Sequence, residues 1–485
     1  MAPLEVSLHI NNKSEPAIDG GTFERRSPIT GEAVTVAAAA KSADVDRAVL
    51  AAQNAFVTWS STSPEEKRKV LNSCADALEA RVDEFVTLGI AETASTLLWY
   101  RNNVKLAASF LREAAAMTTQ IKGEIIPSSK PGMLSMAHRQ PVGVLVGMAP
   151  WNAPIVLGVW SFAMPLACGN TVVMKASEKC PGLHRLIGDC MADGGLPPGV
   201  LNIITHSAGD APEVVNTLID HPLTRRINFT GSTRVGQIIA ARATKHLKPC
   251  LLELGGKNPM LVLEDADIEA AARAAAFGAF MNQGQICMST EKIIVVDAVA
   301  DAFETALRAR IATLSVGVPA DEQNLASVVD RDTIDHVDRL ISDAVGKGAS
   351  TIGGGVPLDG TIMPATVVVG VTSDMAIYGE ETFGPVAALV RAKDEDHAIE
   401  IANDTEYGLS CAIFTKDIGC GMEVAKRLTT GIAHINGPTV GAEAQVPFGG
   451  TKASGYGRFG GTAGIDEFTE LRWITIEDPN QTYPI

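Results

Sequence analysis

A cysteine and a glutamate stand in two glycine-punctuated segments of this chain. Cys287 closes Phe280-Met-Asn-Gln-Gly-Gln-Ile-Cys287, and Glu253 opens Glu253-Leu-Gly-Gly-Lys-Asn258 upstream of it. Glycine lets a backbone turn sharply and approach a ligand closely, so both segments look built around something. A thiolate is the best nucleophile among ordinary side chains and attacks carbonyl carbon readily. A carboxylate held nearby can deprotonate the water that later releases the acyl group. These residue types point to thiol-dependent acyl chemistry, and by themselves they show no oxidation step.

Regular elements must bring the two segments together. From Val142 the chain alternates: strands over Val142–Met148, Thr171–Lys175, Val200–Thr205, Arg226–Phe229 and Cys250–Leu254 are separated by helices over Pro154–Leu166, Leu183–Met191, Glu213–Ile219 and Val235–Thr244. This spacing predicts right-handed βαβ units and a mostly parallel sheet, which binds ligands beyond the carboxyl ends of its strands. A nucleotide-binding domain is the natural inference. A second alternating block runs from Met260-Leu-Val-Leu through Ile293-Ile-Val-Val, Thr366-Val-Val-Val, Val386–Val390 and Ala412-Ile-Phe, and it carries Cys287. Ahead of both lie helices, one opened by Ser63-Pro64-Glu65-Glu66, a capping signal with proline at the first helical position. The piece from Gly123 to His138 reads as an extended excursion.

Two segments compete for a phosphate-binding role. Gly455-Tyr-Gly457-Arg-Phe-Gly460 matches Gly-x-Gly-x-x-Gly, but no strand is expected to end at Gly455, and a further glycine, Gly461, argues against a helix opening there. Asn228-Phe-Thr-Gly231-Ser232-Thr-Arg-Val-Gly236 follows a strand and opens a helix, so its first N–H groups and positive dipole end suit a pyrophosphate. Lys175-Ala-Ser-Glu178, at the end of an earlier strand, is placed to meet the hydroxyls of a ribose. Taken singly, each of these is equally an ordinary helix cap or a solvated loop.

Bulk properties exclude several classes. The chain has 485 residues, enough for two or three domains, and 40 basic against 56 acidic residues give a net charge of −16. Such a surface disfavours nucleic acid and anionic membranes. Eight cysteines show no Cys-x-x-Cys pair, so no metal site is expected, and their scatter suggests reduced thiols. The amino terminus has no basic and apolar leader pattern, which makes cytoplasm the expected location. No charge lies between Arg139 and Lys175, but Pro141, Pro150, Pro154 and Pro165 interrupt that run and argue against a membrane helix.

Together these segments resemble the aldehyde dehydrogenase superfamily over nearly the whole chain. The resemblance rests on Pro150-Trp-Asn152, Lys175-Ala-Ser-Glu178, Phe229-Thr-Gly-Ser-Thr-Arg-Val-Gly236, Glu253-Leu-Gly-Gly256, Gly284-Gln-Ile-Cys287, Glu381-Thr-Phe-Gly-Pro385 and Pro447-Phe-Gly-Gly-Thr-Lys-Ala-Ser-Gly455. It implies an α/β fold with three parts. These are a Rossmann-like NAD-binding domain (1–122 and 142–255), an α/β catalytic domain (256–465) and a small β oligomerisation extension (123–141 and 466–485). It implies Cys287 as nucleophile, Glu253 as the base that activates water, and Asn152 with the Cys287 N–H as the oxyanion hole. Trp151, Lys175, Glu178, Gly231, Ser232, Glu381 and Phe383 fall on cofactor-binding positions. Branches that pass the acyl group to coenzyme A generally lack the glutamate, so Glu253 favours water as acceptor. Glu178 favours NAD because a carboxylate near the ribose 2′-hydroxyl repels an added phosphate, although NADP use also occurs in the family.

Within the family the chain looks most like the branch acting on salicylaldehyde, benzaldehyde and vanillin. The positions expected to line the substrate tunnel, Val156, Leu157, Trp160, Ile286, Met288 and Phe448, are all apolar. They suit a flat aromatic ring and offer no anchor for an anionic substrate. Many members of that branch carry arginine where this chain has Trp160, which here is expected to stack on the ring instead. The alternatives are a broad aliphatic, detoxifying aldehyde dehydrogenase, a non-catalytic binding protein on the same fold, and a thiol esterase. The extension implies a homo-oligomer, a dimer in preference to a tetramer.

Overall fold

The computed structural model describes residues 2–319, 323–354 and 360–483; the expected domain spans also include residues outside these. Two large sheets meet at the site. The first has eight strands. Its parallel centre runs in the order Cys250–Glu253, Thr224–Thr230, Val144–Met148, Thr171–Lys175 and Leu201–Ile204. The second has seven, with Asn258–Val262, Thr290–Val296, Val386–Ala392, Thr366–Val369, Ser410–Phe414 and Ile432–Ile435 parallel and Ser350–Gly353 antiparallel at one edge. Strands in both centres are buried on both faces, which explains their Val- and Ile-rich runs without alternation.

The 250–253 strand ends at Glu253, and the chain enters the second sheet five residues later at Asn258. Cys287 lies just before the Thr290–Val296 strand, and Glu381 and Phe383 just before Val386–Ala392. The site therefore forms where carboxyl ends of first-sheet strands meet amino ends of second-sheet strands.

Two elements depart from the sequence expectation. The helix predicted over Pro154–Leu166 is two short ones, Pro154–Trp160 and Ala163–Ala167. Pro165 has no N–H to give to the carbonyl of Ser161, so the helical ladder breaks there. The Asn228 side chain donates to that carbonyl instead, at 3.1 Å. Second, a helix does open after the Gly-x-Gly-x-x-Gly match, over Gly461–Phe468. Gly460 and Gly461 take φ of +81° and +50°, which glycine adopts without a Cβ clash. The match still lacks a preceding strand: Gly455–Tyr456 begins one, antiparallel to Cys250–Glu253 at the edge of the first sheet.

The excursion after Gly123 forms a separate three-stranded sheet. Leu134–Pro141 pairs antiparallel with both Glu124–Ile126 and Thr469–Ile476. No helix among the described residues is long and apolar enough to cross a membrane.

Candidate active site

Cys287 lies in a cleft of about 200 Å³ together with Glu253, Asn152, Trp151, Leu157, Gly231, Ser232, Glu381 and Phe383. Residues far apart in sequence are thus brought to one place. The other seven cysteines do not line this cleft. Lys175 and Glu178 sit outside it, Lys175 as the last residue of the strand in which it pairs with Met148 and Glu178 just beyond that strand's end. Of the six expected tunnel residues only Leu157 reaches the cleft. Val156, Trp160, Ile286, Met288 and Phe448 are buried in the same apolar cluster behind it.

The loop carrying Cys287 is held in a sparsely populated conformation. Asn282 and Gln283 have φ of +51° and +55°, and such non-glycine backbone persists only when its surroundings over-determine it. Here they do. The Gln283 side chain donates to the Ser327 carbonyl (2.9 Å) and accepts from the Ala326 N–H (3.1 Å). The Asn282 side chain accepts from the Ser95 hydroxyl and donates to the Asn152 carbonyl at 3.0 Å. Asn258 grips the segment from the other side, donating to the carbonyls of Cys287 (2.8 Å) and Ser289 (2.9 Å). A Cβ on Gly256 would stand 2.6 Å from the Cys287 carbonyl oxygen, so the Gly-Gly pair is what allows the two segments to touch.

Asn152 is fixed just as firmly. Its carbonyl accepts from the Trp99 indole at 3.0 Å as well as from Asn282, and one side-chain N–H donates to the Gln285 carbonyl at 2.9 Å. An amide carries two such protons, which leaves the second for a ligand.

Electrostatics in the cleft are dominated by burial. Glu253 accepts from the Gly450 N–H at 3.1 Å through one oxygen, and its other oxygen is buried with no partner among the described residues. Burial pushes its carboxyl up to about 8, against the opposing pull of that N–H and of Arg458. The Cys287 thiol is also driven up, by burial first and then by the charges of Glu253 and Glu381, while the N–H groups of Met288 and Cys287 pull it down. Glu381 is raised to about 8 by burial and by Glu291, with the Gly256 N–H and Lys257 opposing. At the strand end, burial lowers the Lys175 ammonium. For Glu178 burial acts upward, but Lys175 and its own N–H outweigh it and leave the carboxyl below its usual range.

Sequence reasoning missed a buried ion pair. Lys257 and Glu291 meet at 2.9 Å with almost no solvent contact. Glu291 then accepts from the N–H groups of Thr382 (2.8 Å) and Phe383 (3.0 Å), clamping the turn that carries Glu381 and Phe383. Phe383, at φ +45°, is held edge-on to Trp151 with ring centroids 5.8 Å apart. Lys257 lies inside the Gly-Gly segment already singled out. Glu291 sits in an apolar strand with no local pattern to mark it.

Comparison with known proteins agrees with this geometry. The model of the aldehyde dehydrogenase family matches residues 16–474. A vanillin dehydrogenase of Pseudomonas fluorescens is 54% identical over 483 residues, covering 99% of this chain and 100% of the relative. A benzaldehyde dehydrogenase [NAD(+)] of Pseudomonas putida is 36% identical over 471 residues, covering 96% and 95%. The crystal structure of a salicylaldehyde dehydrogenase from Pseudomonas putida G7, complexed with salicylaldehyde, superimposes with a TM-score of 0.97 at 47% identity, covering 99% of this chain and 100% of that one.

Proposed function

The chain belongs to the aldehyde dehydrogenase family and is an aldehyde-oxidising enzyme, and on that premise we propose that it oxidises aromatic aldehydes of the benzaldehyde, salicylaldehyde and vanillin type to their carboxylic acids, with NAD as acceptor. One observation carries the substrate class. The wall behind Leu157 is a continuous aromatic cluster in which Trp160 packs on Phe110 (5.0 Å between centroids), Phe448 (4.8 Å) and Phe459 (4.4 Å). Backed by that cluster, the Leu157 side of the cleft is apolar and firmly packed, so a flat ring buries area against it while a carboxylate would lose its hydration without a partner. The relatives' named substrates point the same way.

The residues in and beside the cleft suit a dinucleotide, its nicotinamide end inside and its adenine end along the strand ends beyond. Ser232 caps the helix Thr233–Thr244, accepting from the Val235 N–H at 3.4 Å, so that helix's first turn lies at the cleft wall with its N–H groups unsatisfied by the helix itself. Glu381 and Phe383 would meet the nicotinamide ribose and ring, and Lys175 and Glu178 the adenine ribose, where the ionised Glu178 disfavours a 2′-phosphate. Bound NAD supplies hydride acceptance. Cys287 Sγ, after losing its proton to water, attacks the aldehyde carbon as thiolate, and the second Asn152 amide N–H and the Cys287 N–H stabilise the oxyanion. Loss of hydride from this adduct leaves a thioester on Cys287. Glu253 takes a proton from the water that hydrolyses it, giving the acid and the free thiol.

The Lys257–Glu291 pair acts here as a positioning element. Glu291→Gln is expected to raise KM for NAD several-fold while KM for the aldehyde stays within about twofold. Equal rises in both would mean general loosening.

We place a homodimer contact on the small sheet, where Ile125, Leu471, Trp473 and Ile476 are 78%, 61%, 70% and 58% exposed. The cytoplasm is the compartment that suits eight unpaired cysteines.

The substrate assignment is tested by kcat/KM for benzaldehyde and salicylaldehyde against acetaldehyde, in wild type and in Trp160→Ala. Aromatic preference in the wild type, reduced at least tenfold in the variant, is expected. Truncating so buried a ring costs about 3–5 kcal/mol of stability; Trp160→Phe, which keeps most of the packing, should show an intermediate loss. Unchanged selectivity in both variants would remove Trp160 from the account. Equal wild-type turnover of acetaldehyde would replace the aromatic reading by the aliphatic one.

A further inference from the structure

A second hollow, of about 450 Å³, is bordered by Phe280 and Met281, where the segment leading to Cys287 begins. Three helices supply most of its lining, Leu97–Met117, Ile268–Phe280 and Asp297–Ile311, and Leu314 with residues 323–325 close one side. Each helix contributes one arginine, Arg101, Arg273 and Arg310, and all three are exposed. None pairs with a carboxylate among the described residues, although most arginines of this acidic chain do. Asp301 and Glu304, on the same helix as Arg310, pair with Arg391 instead.

Apart from Thr96, Gln323 and Asn324, the rest of the lining is apolar. Arg273, Ala276, Phe277 and Phe280 share one face of their helix, at i, i+3, i+4 and i+7. Leu98 and Phe277 stay 65% and 47% exposed. The three exposed guanidinium groups have no carboxylate partner among the described residues and the apolar side chains between them stay in water; a ligand with both an anionic and an apolar part answers both. The volume falls within the usual range for small-molecule sites, roughly 300–1,000 Å³. Guanidinium binds carboxylate through paired N–H groups in a fixed fork.

We propose that this hollow is a binding site for amphipathic organic anions, specifically aromatic carboxylates, with the carboxylate among Arg101, Arg273 and Arg310 and the ring against Leu98 and Phe277. That this is the chemical class of the enzyme's own product rests on the function proposed above; the binding itself does not. The hollow's floor, Thr96, Leu97, Phe280 and Met281, borders the segments that hold the Asn152 carbonyl through Trp99 and Asn282. An occupant would therefore sit one layer from the oxyanion hole, where it can tune turnover.

The test is calorimetric titration of the intact enzyme with benzoate, using benzyl alcohol as the uncharged comparison. Saturable benzoate binding is expected, weakened by salt, weakened at least tenfold in Arg273→Ala/Arg310→Ala, and unchanged in Arg308→Ala, whose side chain does not line the hollow. The double variant should retain benzaldehyde turnover in the absence of benzoate within about twofold. Benzoate binding of equal strength in the double variant, or benzyl alcohol binding as tightly as benzoate, would overturn the proposal. Failure of benzaldehyde turnover in the wild type would count against the proposed function and leave the binding result standing.

Discussion

Cys287→Ser should lower NADH formation from benzaldehyde by about a thousandfold or more, with the fold and cofactor binding intact. Serine keeps the size and the backbone contacts, including the Asn258 bonds to the Cys287 and Ser289 carbonyls, so the loop has no reason to move. What is lost is nucleophilicity. Burial, Glu253 and Glu381 already push the native thiol up, and a hydroxyl starts far higher in the same surroundings. None of the other seven cysteines lines the cleft to substitute for it. Absorbance at 340 nm and thermal melting of both proteins decide the matter. Retention of a tenth of the activity would show that the covalent step lies elsewhere.

Glu253→Gln is expected to separate the two halves of the reaction. Acylation should still release one equivalent of NADH per active site, after which turnover falls by about a hundredfold or more, the usual worth of a general base. A pH dependence comes with it. Burial raises the Glu253 carboxyl to about 8, so below that pH the group is mostly protonated and cannot accept a proton from water. Deacylation in the wild type should therefore rise from pH 6.5 to 9 with an apparent midpoint near 8, and this limb should be absent from the variant. A burst-free variant with proportionally lower kcat at every pH would instead place Glu253 in thiol activation.

Much of the central framework is legible in the chain because parallel strands buried on both faces leave short apolar runs between turn residues. The strand Thr171–Lys175 has the bounds read from sequence, and the others differ by only a few residues. Periodicity cannot show the break at Ser161, since it depends on Asn228, whose side chain arrives from a different strand. The helix after Gly460 is invisible for a related reason: glycine has poor intrinsic helix propensity, and tertiary packing of Ile465 and Phe468 overrides it.

The site divides in the same way. Gly-Gly pairs and the Ser232 cap announce themselves locally, and the structure brings their segments to one cleft. The tunnel positions implied by the resemblance are all apolar, and apolar character does not reveal whether a side chain faces the cleft, as Leu157 does, or packs away from it, as Trp160 does against three other rings. Glu291 carries no sequence signal at all, because its meaning lies in the backbone N–H groups of a turn ninety-odd residues away.

The most direct measurement is the mass of the covalent species. Glu253→Gln is mixed with benzaldehyde and NAD, quenched in acid during the burst, and examined intact and after digestion. One benzoyl group in place of one hydrogen per chain is expected, located on the peptide containing Cys287. A full NADH burst with no added mass, or with the benzoyl group on another side chain, would contradict it.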